Sequence, residues 1–160
     1  MSTTIVGCPT VIVPPAPAAE PKIAGGWWPD IDPGSIREQL RVRDAVTSSR
    51  LREALLGAMV TVHRELRSWR AGHEAAGHAS LAAVPADELG DESELVILYR
   101  RAIGAYAKAE LVERQRDTDL TGAGQRQVAD LDQTPGELRR DALHAIRDML
   151  GVSRTDVELI

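Results

Sequence analysis

The sequence predicts an all-α fold: a small bundle of about four helices, with an extended N-terminal arm and a C-terminal tail. Three observations predict it. The 160 residues include 22 alanines and 16 leucines, both strong helix formers. Aromatic strand formers are scarce, with three Trp, two Tyr and no Phe, which argues against an all-β fold. Apolar residues also recur at steps of three and four over long stretches, the period of a helix that buries one stripe. The length allows one hydrophobic core and not two.

Taken in order, residues 1–26 read as the arm. Five of the nine prolines lie there, at positions 9, 14, 15, 17 and 21, so the stretch is extended or polyproline-like and cannot bury a core of its own. Within it Thr10–Val13 is a short β-prone run, and the segment reads either as a loose leader or as an arm that adds onto a neighbouring chain's surface. The segment has no basic n-region, and its prolines break the apolar runs well short of a signal sequence or a span. The single cysteine, Cys8, cannot close an intrachain disulfide and points to a reducing or intracellular setting.

The helical body is expected over 27–151. Trp27 and Trp28 stand at its edge, one expected to pack on the core and the other to remain partly exposed. Asp32 before Pro33 has the form of an N-cap with proline at the first helical position, followed by Ile36 and Leu40, which predicts a short helix to about Arg43. The clearest stripe follows: Leu51, Leu55, Ala58, Met59, Val62, Leu66 and Trp69 predict one helix from about Ser48 to Ala71. Its other face carries Arg50, Arg52, Arg64, Arg67 and Arg70 against Glu53 and Glu65, a basic surface that is either a solvated face or a contact to an acidic partner or to DNA.

From Gly72 to Gly90 the helical period lapses, predicting a long structured loop. Asp91 or Ser93 then caps a third helix, through Leu95, Leu98, Ala102, Ile103, Tyr106 and Leu111 to about Arg116. Its small residues around Ala102–Ala109 allow close approach of another helix. A fourth pattern runs through Val128, Leu131, Leu138, Ala142, Ala145, Ile146 and Met149. Within it Thr134-Pro135-Gly136-Glu137 has the spacing of a capping box, so the helix starts anew or bends there. Gly151 suits a left-handed stop. In the tail, 152–160, Val157, Leu159 and Ile160 alternate like a strand too short to stand alone.

No catalytic, cofactor or metal constellation is expected. His73 and His78 resemble a zinc-protease pair with one residue too many, which on a helix would set them roughly 140° apart. There is no nucleophile elbow and no phosphate loop with its lysine, and Thr121–Gly124 reads as a plain connector. The net charge of -5 argues against a surface that grips nucleic acid throughout. The alternative class is a nucleic-acid-associated helical regulator or DNA-packaging component. It would require a recognition helix after a turn of three or four residues, where this chain has a loop of about 19.

WWPDIDPGSIREQLRV, SRLREALLGAMVTVHREL, LAAVPADELGDESELVILYRRAIGAYAKAELVERQRDTD and ELRRDALHAIRDMLG together resemble the head-completion protein L (GPL) family of tailed phages with contractile tails. The likeness covers about residues 27–160. Its most specific pieces are WPDIDP, the Val84–Ser93 loop, and Tyr99-Arg100-Arg101-Ala102 followed by Glu113-Arg114. The chain departs from the pattern at Gln115, where an aromatic is expected, and around His73–His78.

The resemblance implies a non-enzymatic head-tail connector, or adaptor, of the virion, assembled in the host cytoplasm. Such proteins join the portal protein as a ring, usually dodecameric, after DNA packaging, and offer a docking surface to tail-completion or tail terminator proteins. Packaged DNA would only pass through the channel, and no membrane or cofactor is implied. The residues expected at protein interfaces are Trp27, Trp28, Arg64, Arg67, Arg70, Val157, Leu159 and Ile160.

Overall fold

The computed structural model describes residues 20–42, 46–118 and 133–152. Cys8, the Thr10–Val13 run, Thr121–Gly124, Val128, Leu131, Val157, Leu159 and Ile160 lie outside these residues. Five α-helices occur among the described residues: α1 Pro33–Gln39, α2 Ser48–Glu65, α3 Arg67–Ala75, α4 Glu94–Thr118 and α5 Pro135–Met149. A 3-10 turn at Leu81–Ala83 and a two-stranded hairpin, β1 Glu88–Leu89 and β2 Glu92–Ser93, lie between α3 and α4. The long structured loop expected over Gly72–Gly90 is present but shifted to residues 76–93, because the preceding helix runs on to Ala75 and α4 begins at Glu94.

Helix α4 is the centre, with α2 and α5 both packed along it. The main core includes Leu51, Leu55, Met59, Val62 and Leu66, which meet Val96, Tyr99 and Ile103 of α4 and Ile146 and Met149 of α5. Ala105, Ala109, Leu138 and Ala142 are also buried, so α4 and α5 approach through small side chains. Helix α5 runs back along α4, and the Arg139–Glu113 ion pair ties its early turns to the late turns of α4. Helix α1 lies over Gly104, where an added Cβ would come within 3.3 Å of the Leu40 side chain.

The local start and stop rules account for several ends. Asp32 Oδ1 accepts hydrogen bonds from the N–H groups of Gly34 at 2.9 Å and Ser35 at 3.4 Å, capping α1. The helix stops sooner than its apolar spacing predicts. Arg41 takes a left-handed backbone, φ 50°, and Val42 N–H bonds back to the Arg37 carbonyl. At α5 the capping box is complete: Glu137 N–H donates to Thr134 Oγ1 at 3.2 Å, and Thr134 N–H donates to Glu137 Oε2 at 2.8 Å. The Thr134 N–H and hydroxyl, both donating to Oε2, hold the Glu137 carboxyl below its ordinary range. Gly151, φ 66°, ends the helix as its position suggests.

Two expectations about helices fail. The stripe predicted as one helix to Ala71 breaks at Leu66, and α3 then carries on to Ala75. Neither proline nor glycine stands at the break. Leu66 is fully buried there with φ -93° and ψ 8°, so the core pulls the chain out of helical geometry and turns Trp69 and His73 toward the N-terminal segment. At α4, no side-chain cap by Ser93 forms. Its hydroxyl is buried without a hydrogen bond, and the Asp87 carbonyl accepts from Glu94 N–H instead.

Candidate functional site

Residues 20–31, part of which the sequence assigns to the arm, are bound to the body. Ile23 and Ile31 exchange backbone hydrogen bonds of 2.8 and 2.9 Å and are both buried. Glu20 pairs with Arg37 at 3.3 Å and accepts from Ser48 Oγ at 2.6 Å, while Arg52 donates to the Pro21 carbonyl. The folded body thus begins ahead of position 27. The loop between the two isoleucines is tight: a Cβ on Gly25 would sit 2.4 Å from the carbonyl oxygens of Trp28 and Pro29, so only glycine fits.

This loop delivers both tryptophans into the protein, and here the expectation that one stays partly exposed is wrong. Trp27 is 8% exposed and Trp28 2%. Trp27 donates its indole N–H to the His78 carbonyl at 2.9 Å, and its own carbonyl accepts from Leu81 N–H. The guanidinium of Arg70 lies 5.5 Å over its ring, a cation–π geometry, and the edge of Trp69 approaches at 6.3 Å. The partners lie some fifty residues away in the chain, beyond the reach of local pattern.

Trp28 stacks nearly parallel to Tyr99, at 5.0 Å and 5°, and to His63, at 5.1 Å and 12°. His63 Nε2 and the Tyr99 hydroxyl are 2.8 Å apart. Burial lowers the His63 pKa, with the nearby Arg70 charge adding to the effect, and burial raises that of Tyr99. The pair is therefore held neutral, able to share a proton in a hydrogen bond and poorly suited to acid–base exchange with a ligand. The cluster joins α2, α3, α4 and the N-terminal loop in one contact, and its chemistry is that of an anchor.

The arginines expected at an interface divide. Arg70 is committed within the chain, donating through Nε and Nη2 to Glu74 Oε1 at 3.0 and 2.7 Å while covering Trp27. Arg64 and Arg67 lie exposed at the α2–α3 junction, where Arg64 approaches Glu65 at a loose 4.0 Å. The same outward face carries Leu56 and Val60, 44% and 66% exposed. Those two apolar residues extend the arginine surface along the helix. They break the amphipathic pattern of α2, and that break was the sequence signal for them. Val157, Leu159 and Ile160 fall outside the described residues.

His73 and His78 are nearer than helical geometry predicts, with ring centroids 5.5 Å apart. Helix α3 ends at Ala75, and Gly77, φ 93°, folds the chain back. His73 lies 4.2 Å from Trp69, so the pair extends the aromatic cluster. Among the described residues no group of three or more His, Cys, Asp or Glu side chains is gathered as metal ligands. No helix among them is long and apolar enough to cross a membrane.

Comparison with known proteins adds a family likeness. The family model for the phage head completion protein (GPL) matches residues 23–160. A head completion/stabilization protein of Escherichia phage P2 is 39% identical over 152 residues, covering 94% of this chain and 90% of that protein. A probable head completion/stabilization protein of Haemophilus phage HP1 is 27% identical over 135 residues, covering 84% of this chain and 89% of that one. No solved structure matches the chain.

Proposed function

The chain belongs to the phage head completion protein (GPL) family, a structural head-assembly family, and from that premise we propose that it acts as a connector docking as a ring beneath the portal after DNA packaging. In this reading the ring also presents the surface on which tail-completion or tail terminator proteins assemble. A ring requires head-to-tail contacts in which each subunit offers two different faces. The observation that carries the reading is the outward face of α2 and α3, where Leu56, Val60, Arg64 and Arg67 are exposed together. Aliphatic side chains beside arginines suit a protein interface, where arginine is enriched.

DNA is a poor partner for this face. A ring around an exit channel must let DNA slide, which tight phosphate binding would oppose, and a charge of -5 per chain agrees with weak contact. We expect Arg64→Glu with Arg67→Glu to give heads that lose DNA or fail to join tails, scored by titre and by head–tail joining in lysates. Wild-type titre from that variant sinks the proposal. The strand-like Val157, Leu159 and Ile160 would add to a sheet edge of the portal or a neighbour. Deleting residues 152–160 should leave a folded helical protein that no longer co-sediments with filled heads, and continued co-sedimentation would refute this role.

A further inference from the structure

The hairpin ahead of α4 has an exposed tip that nothing in the fold described so far uses. Its strands pair Glu88 with Ser93 and Leu89 with Glu92, and the turn passes through Gly90 at φ 66°. The base is firm: Glu92 pairs with Arg100 of α4, and Glu94 N–H donates to the Asp87 carbonyl. From Asp87 to Glu94 the chain holds five carboxylates and no lysine or arginine. Leu89, 56% exposed, stands among Asp87, Glu88 and Asp91, which are exposed too. An aliphatic side chain displayed on an ordered, acidic turn has the form of a knob.

The complementary surface is on the same chain. On α2 the buried positions are Leu51, Ala54, Leu55, Ala58, Met59 and Val62. Leu56, Val60 and Arg64 follow steps of four along α2, which sets them on one stripe opposite the buried one, and Arg67 is exposed at the start of α3 just beyond the stripe's end. The stripe is apolar toward the start of α2 and basic toward α3. Its composition mirrors the hairpin, with aliphatic against aliphatic and cation against anion.

We infer that the Asp87–Asp91 hairpin tip of one copy docks on the Leu56–Val60–Arg64–Arg67 stripe of a second copy. Leu89 packs against Leu56 and Val60, and the carboxylates of Asp87, Glu88 and Asp91 face Arg64 and Arg67. The two patches are different parts of the subunit, so the contact is heterologous and passes from copy to copy, closing into a ring where the rotation permits. The inference rests on the self-association proposed above and names the surfaces that make it.

The test is sedimentation of the purified full chain across a range of concentration and salt, beside charge-reversed variants whose folding is checked by circular dichroism. Asp87→Lys with Glu88→Lys, or Arg64→Glu with Arg67→Glu, should each weaken self-association about tenfold or more, because like charges would then face each other. All four substitutions in one chain should restore it, a rescue that damage to folding cannot imitate. A second readout uses Val60→Cys with Leu89→Cys in a Cys8→Ser background: mild oxidation should give a ladder of linked copies. If the wild type associates and neither reversal weakens it, this inference falls while the ring reading stands. If the wild type stays monomeric throughout, both fall.

Discussion

Helix α2 contributes to two regions that differ in almost every physical respect. Through His63 it enters the largely buried cluster around Trp28, where four elements meet and the ring nitrogen finds the Tyr99 hydroxyl at 2.8 Å. Elsewhere on the same helix Leu56, Val60 and Arg64 are exposed, and the arginine approaches Glu65 at a loose 4.0 Å. The first region holds the chain together. The second has the makings of a contact between molecules, since its side chains are neither buried nor engaged in ways that would commit them to the fold. The lesson is that residue type alone does not separate scaffold from interface. Tryptophan and arginine are both enriched at interfaces, yet Trp27, Trp28 and Arg70 are spent inside this chain.

The contrast should appear first as stability. Trp28→Ala removes a fully buried indole that stacks on Tyr99 and His63, and large aromatic truncations in cores cost about 3–5 kcal/mol. Urea unfolding should show a loss of that order, without a change of fold in whatever native fraction remains. A loss below about 1 kcal/mol would mean that the cluster is not the anchor its burial implies.

What was legible in the sequence divides along the same line. Asp32 with Pro33, Thr134 with Glu137, and Gly151 each act within a few residues, so their roles could be read from spacing. The α4 stripe was readable because a long helix repeats its signal many times. The break at Leu66 was not, since the apolar spacing continues through it and only a tertiary pull distinguishes Leu66 from Val62. The burial of both tryptophans depends on His78, Tyr99 and Trp69, distant in sequence. Arg70 looked equivalent to Arg64 and Arg67 until Trp27 arrived beneath it. The Glu88–Ser93 hairpin was hidden because two-residue strands carry no period, although Gly90 followed by Asp91 is a turn-forming pair.

A smaller effect separates the regions by pH. His63 has its pKa lowered by burial and by Arg70, so below its ordinary value of about 6.5 the unfolded chain takes up a proton that the folded chain refuses. The stabilisation is therefore complete above that value and is lost as pH falls toward the folded-state pKa. Thermal melts of the wild type should show Tm declining from pH 7 to 5. His63→Gln keeps a group that can accept from Tyr99 and removes the titration, and its decline over that interval should be shallower. Equal slopes would place the acid sensitivity elsewhere. Glu113 and Glu137, both held below the ordinary range by their hydrogen bonds, contribute only at still lower pH.

The smallest expected effect is the one that most sharply tests the open face. Leu56→Ser with Val60→Ser alters two side chains that are 44% and 66% exposed and belong to no buried cluster. Substitutions at such positions usually change stability by less than about 0.5 kcal/mol each, and serine lowers helix propensity by a similar amount. Urea midpoints should therefore shift little, while head–tail joining falls as far as it does for the arginine reversal. A protein that needed this face only for solubility would respond the other way, with unchanged or improved recovery and intact joining. Marked destabilisation would show that the two residues serve the fold after all, and the distinction between a sealed and an open side of α2 would collapse. The pairing of near-zero stability change with lost assembly is what an interface residue must show, because its energy is realised only when the partner is present.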